Sequence, residues 1–421
     1  MRLFAFPALC AAMLCAASLH AQSVTDPVPE AAPAKPAPAP RTVPASSFVE
    51  DWEDGPGEFE TPLGDFTLGG YATFQHKALT RYNGGQSENF FEAYRIVPQF
   101  HWQIMDWLGF GMEVEFEGGG SGAGFLSDNY ILVEYAEIEI TPIDEFNIKA
   151  GLLLIPFGRY NQNHDDIFWD LADRPYVARR LVPTAFDQPG VGIFGTFNQV
   201  PYFAFNYQVQ VTQGFNDNFT NNEGARSARQ SFRRDNNGNK AIWARLGITP
   251  QFDEMGVEFM TADFGFSYNY QDVGPDNTQA TRGVAVDGAL TFDIVERFGI
   301  DVTGEWARLW INRESSVTRP NGLWAYFADV LFKFDPFPAS WRGSVFGRNP
   351  YIGLILRLEE NDLNDDHVGT AARDDRIGFT VGISFRPISK LVIRTEFKHQ
   401  QSKKRDDGDE TRFVTSISIG F

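Results

Sequence analysis

From about residue 66 to residue 421, apolar and polar positions alternate along the chain again and again. The clearest stretch is 108–117. There Leu108, Phe110, Met112, Val114 and Phe116 fall on one face, and Gly109, Gly111, Glu113, Glu115 and Glu117 on the other. Segment 376–386 repeats the pattern, with Ile377, Phe379, Val381, Ile383 and Phe385 alternating with Gly378, Thr380, Gly382, Ser384 and Arg386. In 202–212 the apolar face is Phe203, Phe205, Tyr207, Val209 and Val211. A period of two is the signature of a strand whose faces meet different surroundings. Read this way, the chain predicts sixteen strands, near 66–78, 91–104, 108–118, 130–141, 145–155, 190–198, 202–213, 240–250, 259–271, 282–293, 297–310, 323–335, 349–359, 375–386, 390–400 and 411–421. The apolar face of 130–141 switches between Tyr135 and Ile138, which predicts a β-bulge there.

The connections sort into two kinds. Those after the second, fourth, sixth, tenth and fourteenth strands are very short: 105–107, 142–144, 199–201, 295–296 and 388–389. Those after odd-numbered strands are mostly long and polar: 119–129, 156–189, 214–239 and 360–374. The turns after the eighth and twelfth strands are longer and fit less cleanly. An even number of strands, with tight turns on one rim and long loops on the other, describes a transmembrane β-barrel. Periodicity alone does not say which face looks outward, because a soluble sandwich turns the polar face to water and the apolar face to its core. Aromatic residues near the strand ends (Trp102, Trp107, Trp310, Trp324, Phe334 and Tyr351) suit the interfacial girdles of a barrel in lipid. The final segment, 411–421, sets Phe413, Thr415, Ile417, Ile419 and Phe421 on one face. It resembles the closing strand by which such barrels reach the barrel-insertion machinery. The expected fold class is all-β: a sixteen-stranded antiparallel transmembrane β-barrel, a size that leaves room for an aqueous channel.

The N-terminus points the same way. Arg2 precedes an apolar run from Leu3 to about Ala17, and Leu19-His20-Ala21 is followed by Gln22. This predicts a secretory signal peptide over 1–21, cleaved after Ala21. The run is too short for a membrane anchor and lacks a cationic flank. Cys10 and Cys15 both lie within it, so removing 21 of the 421 residues leaves a mature chain of 400 with no cysteine. Something other than disulfides must hold so large an exported chain. Residues 22–65, rich in Pro and Ala and then acidic, predict a disordered linker. Composition narrows the options further. A mean hydropathy of −0.27 argues against a bundle of transmembrane helices. A formal charge of −19, or −20 once Arg2 is lost, argues against nucleic acid as a partner. With 39 Phe and 39 Gly, the chain is well supplied for strands and tight turns.

The candidate chemistry concentrates in 156–189, the longest connection of the barrel region. Phe157, Ile167, Phe168, Trp169, Leu171, Tyr176 and Phe186 suit anchoring against an inner wall, since apolar residues on an exposed loop would be a liability. Arg159, His164, Asp165, Asp166, Asp170, Asp173, Arg174, Arg179 and Arg180 suit the lining of a passage. Four further motifs stand in or beside this loop: Lys149-Ala150-Gly151, Pro156-Phe157-Gly158, Arg174-Pro175 and Pro189-Gly190-Val191-Gly192. With them the chain resembles the phosphate-selective porin O and P family of bacterial outer-membrane porins over about 66–421. The resemblance implies a sixteen-stranded barrel, an inward-folded constriction loop after the fifth strand and a homotrimer. Phosphate channels of that family set lysines at the constriction and a ladder of arginines. This loop has no lysine, and its four arginines face five aspartates. Strand positions facing the same interior are mixed as well: Arg95, Lys149, Arg245, Arg357, Arg394 and Lys398 beside Glu113, Glu115, Asp287, Asp301, Glu305 and Glu396. Opposed charges across a lumen suit a general diffusion pore, whereas a ring of one sign selects counter-ions.

The expected function is therefore passive diffusion of small hydrophilic solutes or ions, anions such as phosphate among them, across a bacterial outer membrane. Candidate solute contacts are Arg159, Arg174, Arg179 and Arg180 on the loop and Lys149 and Arg245 on the wall. Asp165, Asp166 and Asp170 supply the opposing charge, with His164 beside them. The expected partners are outer-membrane lipid, two further copies of the chain and the insertion machinery. A plugged structural or adhesive barrel and a secreted soluble β-protein are the alternatives. His164-Asp165-Asp166 carries donors for a divalent metal, but a hard cation needs six or more converging oxygens, and a hydrogen-bonded loop corner is the reading preferred. No cofactor or catalytic site is expected, because no G-x-S-x-G elbow, H-E-x-x-H pair or phosphate loop occurs. Arg226, Arg229, Arg233 and Arg234 form a basic run in 214–239, read as an outer loop that is solvated and balanced by nearby acids, or that collects anions or binds surface lipopolysaccharide phosphates.

Overall fold

The computed structural model describes residues 57–61, 64–81, 87–118, 130–230, 232, 238–274, 278–314, 316, 319–365, 375–403 and 409–421. The signal peptide, its cleavage position, the linker up to residue 56, the loop 119–129, and Arg233 and Arg234 lie outside the described residues. Among the described residues seventeen strands are present: β1 (Gly57–Thr61), β2 (Gly64–Arg81), β3 (Glu88–Met105), β4 (Leu108–Glu117), β5 (Tyr130–Ile143), β6 (Phe146–Leu154), β7 (Asp187–Val200), β8 (Phe203–Thr212), β9 (Ala241–Pro250), β10 (Met260–Val273), β11 (Gln279–Val295), β12 (Phe298–Ile311), β13 (Gly322–Phe334), β14 (Tyr351–Asp362), β15 (Asp375–Ile388), β16 (Leu391–Ser402) and β17 (Glu410–Gly420).

Strands β2 to β17 each pair antiparallel with the next, and β17 pairs with β2 from Glu410↔Arg81 to Gly420↔Tyr71. The sheet is thus a closed ring of sixteen strands with no free edge between neighbours, which satisfies the backbone without water. Each of the sixteen predicted strands has its counterpart. Strand β1 was not predicted and falls inside the segment read as linker. It pairs with the start of β2, from Gly57↔Leu68 to Thr61↔Gly64, just beyond the point where β17 ends. The amide of Phe421 donates to the carbonyl of Gly70 at 2.9 Å across that junction. GEFET offers too short an alternation to announce a strand; the unused edge of β2 is what recruits it.

The two faces resolve the ambiguity that periodicity leaves. On β14, Ile352, Leu354, Leu356 and Leu358 are exposed, while Ile355, Arg357 and Glu359 are buried. On β10, Phe264, Phe266, Tyr268 and Tyr270 are exposed, while Ser267, Asn269 and Gln271 are buried. The apolar face points out and the charged face points in. So wide an apolar exterior is a liability in water and matches the lipid-facing band of transmembrane barrels.

The bulge in β5 lies just upstream of the predicted interval. Glu113 pairs with Tyr135 and Val114 with Val133, so Glu134 is the extra residue. Glu134 and Tyr135 are consecutive, yet both are buried inside the barrel. The bulge therefore adds one inward carboxylate without disturbing either flanking face.

Inside the ring, the loop 155–186 packs on the wall opposite its own strand. Ile155, Phe157, Tyr160, Val177, Leu181, Val182 and Phe186 share one buried cluster with Trp243, Leu309 and Phe327 of the wall and Phe215 and Phe219 of the loop 213–240. Phe157 lies edge-on to Trp243 at 5.6 Å, Phe186 stacks on Phe215 at 4.7 Å, and Tyr160 stacks on Trp169 at 4.2 Å. Each buried aromatic contributes roughly 1.5–3 kcal/mol of apolar burial. Ile167, Leu171 and Tyr176 are also buried, as the sequence implied; Phe168 is not, and remains 38% exposed.

Candidate functional site

The loop leaves the wall at Pro156-Phe157-Gly158. Gly158 has φ +77°. A Cβ placed there would lie 2.2 Å from Glu305 Oε1, so glycine is what lets this carboxylate approach the backbone. The Gly158 amide donates to Ser267 Oγ at 3.2 Å and the Tyr160 amide to Glu305 Oε2 at 2.8 Å. Further along, the amides of Ala172 and Asp173 donate to Glu396 at 2.7 and 2.9 Å, and the amide of Tyr176 to Glu359 at 2.7 Å. Arginines of the wall take up loop carbonyls. Arg394 donates to those of Asp166 (2.6 Å) and Trp169 (2.9 Å), Arg386 to that of Ile167 (2.9 Å) and Arg357 to that of Asp173 (2.7 Å). Inward carboxylates hold loop N–H groups and inward arginines hold loop C=O groups. The mixed charge of the interior is thus the means by which an irregular segment stays satisfied inside a barrel.

Most of the predicted site residues are committed to such contacts. Arg245 makes a bidentate pair with Asp287 at 2.6 and 2.8 Å, reaching across Ser267. Lys149 is fully buried, 3.6 Å from Glu137. Arg159 pairs with Asp263. Asp170 accepts from Tyr351 at 3.1 Å and lies 3.8 Å from Arg386. Asp166 lies 3.8 Å from Arg95. The expected grouping of all ten around one passage is not what the structure shows. Lys149 and Asp170 are tied to wall partners of their own, while Arg159, 3.8 Å from Asp287, stands beside the Arg245–Asp287 pair.

Arg174, Arg179 and Arg180 do converge. They line a cavity of about 260 Å³ between the loop and the wall of β2 to β5. The wall supplies Lys77, Tyr94, Arg95, Glu115, Glu117, Leu132 and Glu134; the loop adds Asp173, Thr184 and Ala185; and Arg226 and Arg229 come from the loop 213–240. Seven cationic side chains thus meet four carboxylates. Arg95 lies 2.5 Å from Glu115 and 3.1 Å from Glu117; Arg179 pairs with Asp173 at 2.9 Å, Arg180 with Glu223, and Arg229 with Asp187 at 3.2 Å. Arg174 differs. It donates to the carbonyls of Thr184 (2.8 Å) and His164 (3.4 Å), is 94% buried, and its Nε has no hydrogen-bond partner. Asp173 is held well below the usual carboxylate range: burial pushes it up, but Lys398, Arg179 and Arg412 together outweigh that.

Sequence reasoning placed Arg226 and Arg229 on an outer loop, either solvated or collecting anions. Instead, the short 3-10 turn between them buries Ala225 and Ala228 against Leu181 and Val182 and turns both arginines toward the cavity. The spacing of small residues in Ala225-Arg226-Ser227-Ala228-Arg229 was the available signal. Lys77 and Tyr94 carried no such mark.

A second group lies at the wall edge of the cavity. His164 Nε2 is 2.9 Å from Glu134 Oε2 and 3.7 Å from Asp165 Oδ1, while its Nδ1 is 3.1 Å from the carbonyl of Asn161. Gln99 donates to both Glu113 (3.0 Å) and Asp165 (2.9 Å). Glu113, Glu134, His164 and Asp165 are each at least 98% buried. Burial lowers the pKa of His164, but Glu134 and then Asp165 outweigh it and push it up to about 9. Burial raises Asp165 to about 6 against the pull of His164. The position favours positive charge.

The architecture has solved counterparts. The fold is that of outer-membrane porins. OmpF of Salmonella typhi in complex with daunomycin matches with a TM-score of 0.52 and 14% identity, covering 87% of this chain and 100% of that one. OprB of Pseudomonas putida, in a high-pH structure, matches with a TM-score of 0.52 and 12% identity, covering 85% and 94%. The anion-selective porin of Comamonas acidovorans matches with a TM-score of 0.50 and 11% identity, covering 85% and 99%. Among curated sequences, an uncharacterized protein of Aquifex aeolicus strain VF5 is 29% identical over 163 residues, which is 38% of this chain and 34% of the relative. The chain thus spans about a third of that relative's length. No family model matches the chain.

Proposed function

We propose that the chain is an outer-membrane porin through which small hydrophilic anions, phosphate among them, diffuse passively. The passage runs beside the inward loop, along the wall of β2 to β5. The observation that carries this reading is the cavity: seven cations against four carboxylates, with the buried Arg174 bearing an unpartnered Nε. The loop acts as the constriction because its apolar side fills the lumen against β9 to β14 and leaves its arginines on the open side. Anions gain from Arg174, whose hydrogen-bond partners are carbonyls alone, and the acids paired with the other cations keep binding weak enough for release. The loop's lack of lysine is then no obstacle, because Lys77 and Arg95 of the wall and Arg226 and Arg229 of the second loop make up the number. In line with the family resemblance, the assembly proposed is a trimer in the outer membrane.

The test is single-channel current from detergent-purified protein in a planar bilayer under a KCl gradient. Discrete steps with an anion-directed reversal potential are expected, and added phosphate reduces the current. Arg174→Ala with Arg179→Ala shifts the reversal potential toward cations; an unchanged potential in that double variant sinks the assignment of these residues. The plugged barrel is the second reading, favoured by how completely the loop's apolar cluster fills its side of the lumen. Persistent silence from correctly folded protein would establish it.

A further inference from the structure

We propose that Glu113, Glu134, His164 and Asp165 form a site for one divalent transition-metal ion, of which Zn²⁺ is the probe, bridging the inward loop to the wall at β4 and β5. The donor atoms of Glu113, Glu134 and His164 already lie within 4.8 Å of one another, all buried. His164 Nε2 and Glu134 Oε2 are 2.9 Å apart. Two ligands at tetrahedral angles with bonds of about 2.0 Å are separated by about 3.3 Å, so small movements open the space for an ion. Asp165 Oδ1 stands 3.7 Å from the same nitrogen.

Three observations point to a cation rather than to a solvated acidic cluster. Glu113 Oε1 and Asp165 Oδ1 are buried with no hydrogen-bond partner, although the other oxygen of each is held by Gln99. Glu113 belongs to the group of three, Asp165 stands beside its histidine, and the shared amide orients both carboxylates at once. The second ring nitrogen of His164 meets the Asn161 carbonyl at 3.1 Å, so Nδ1–H donates there, and Nε2, which stands against Glu134, is the nitrogen that faces the other donors and would exchange its proton for the metal. That outer contact is what fixes a metal-ligating histidine. Finally, Glu134 is the bulge residue of β5 and lines the cavity, which gives an ion a route in. One imidazole with three carboxylates is a donor set for zinc or manganese rather than for a caged calcium, which takes six to eight oxygens. With two ligands on the loop and two on the wall, the ion would cross-link the elements that bound the passage. The assignment rests on this geometry and not on the transport reading.

The experiment is calorimetric titration of the folded full chain in detergent with ZnCl₂. One saturable site per chain is expected. Glu113→Gln and His164→Gln should each weaken it at least tenfold, and His399→Gln, on β16 and outside the cluster, should leave it unchanged. X-ray absorption at the zinc edge of the wild-type complex should show only nitrogen and oxygen neighbours, with imidazole scattering. This measurement does not depend on whether the variants fold. No saturable binding by folded wild-type protein overturns the proposal and leaves the imidazolium alone to supply the positive charge. So does a zinc spectrum without imidazole, or retention of the site in both ligand variants. A positive titration with a silent bilayer would uphold the site and remove only the porin.

Discussion

Asp173 shows how one loop residue can be held at once by its own loop and by two neighbouring strands of the wall. Its carboxylate meets Arg179 at 2.9 Å on the loop, Lys398 at 3.0 Å on β16 and Arg412 at 3.2 Å on β17. Because its folded pKa is depressed, its contribution is present above the unfolded carboxyl value of about 3.9 and is lost as pH falls through the lower folded value. Asp173→Asn should therefore lower thermal stability at pH 7 and flatten its decline below about pH 4; melts followed by far-UV circular dichroism at both pH values measure this. A slope matching the wild type would place the acid sensitivity elsewhere. Gly158→Ala tests the loop root. The added Cβ lands 2.2 Å from Glu305 at a backbone φ of +77°. A cost of about 1–3 kcal/mol is expected, felt as faster proteolysis of the loop while the barrel stays folded. A protease-resistant variant would mean that Glu305 moves aside freely. At this scale the sequence exposed charge and apolar character but not partnership. Arg245 and Arg174 look equally available in the sequence, yet Asp287 neutralises one, while the other meets only carbonyls.

The elements were more legible. A strand with unlike surroundings on its two sides writes its period into the sequence, and all sixteen ring strands did so. The short edge strand β1 and the turn at 225–228 did not, because tertiary neighbours rather than local pattern form them. The bulge lies between these cases. The pattern shows that a face switches, but only pairing with β4 shows that Glu134 is the extra residue. Its role is separable from that of the strand. Deleting Glu134 joins Val133, outward, to Tyr135, inward, and restores strict alternation. We predict that the barrel still forms, with native heat-modifiable mobility on gels. His164 then loses its carboxylate partner, a buried-pair loss of about 3–5 kcal/mol, which loosens the loop and increases open-channel noise. If the deletion instead prevents the barrel from forming, the bulge sets register or curvature in β5 and its carboxylate is incidental.

At the scale of the whole molecule, closure and filling are separate achievements. The ring is closed by backbone pairing alone, and a sixteen-stranded ring is wide enough to leave a channel. What occupies part of its lumen is the loop 155–186, held by an apolar cluster on one side and by charged wall residues on the other, and its proposed role is that of the constriction. The composition of the loop foretells the apolar anchors but not the charged ones, since its own charges suggest the lining of a passage; which side of the lumen stays open was not legible either, because that follows from where Trp243, Phe327 and Phe215 stand in three dimensions. Replacing 159–182 with a short Gly/Ser linker should leave a folded barrel, since no ring pairing involves those residues. Its conductance should rise by at least about threefold, because a wider aqueous column replaces a cavity of molecular size. Anion preference should fall at the same time, because Arg174, Arg179 and Arg180 leave with the segment. The wild type sets the comparison. If it conducts and the shortened barrel conducts no better, the passage does not run beside the loop, and the cavity at β2 to β5 is a side chamber. If the wild type is silent and the shortened barrel conducts, the loop is a plug, and the arginine-lined cavity serves binding rather than flow. A rise in conductance with undiminished selectivity would move the charge filter from the loop to Lys77, Arg95 and the second loop, which remain in place.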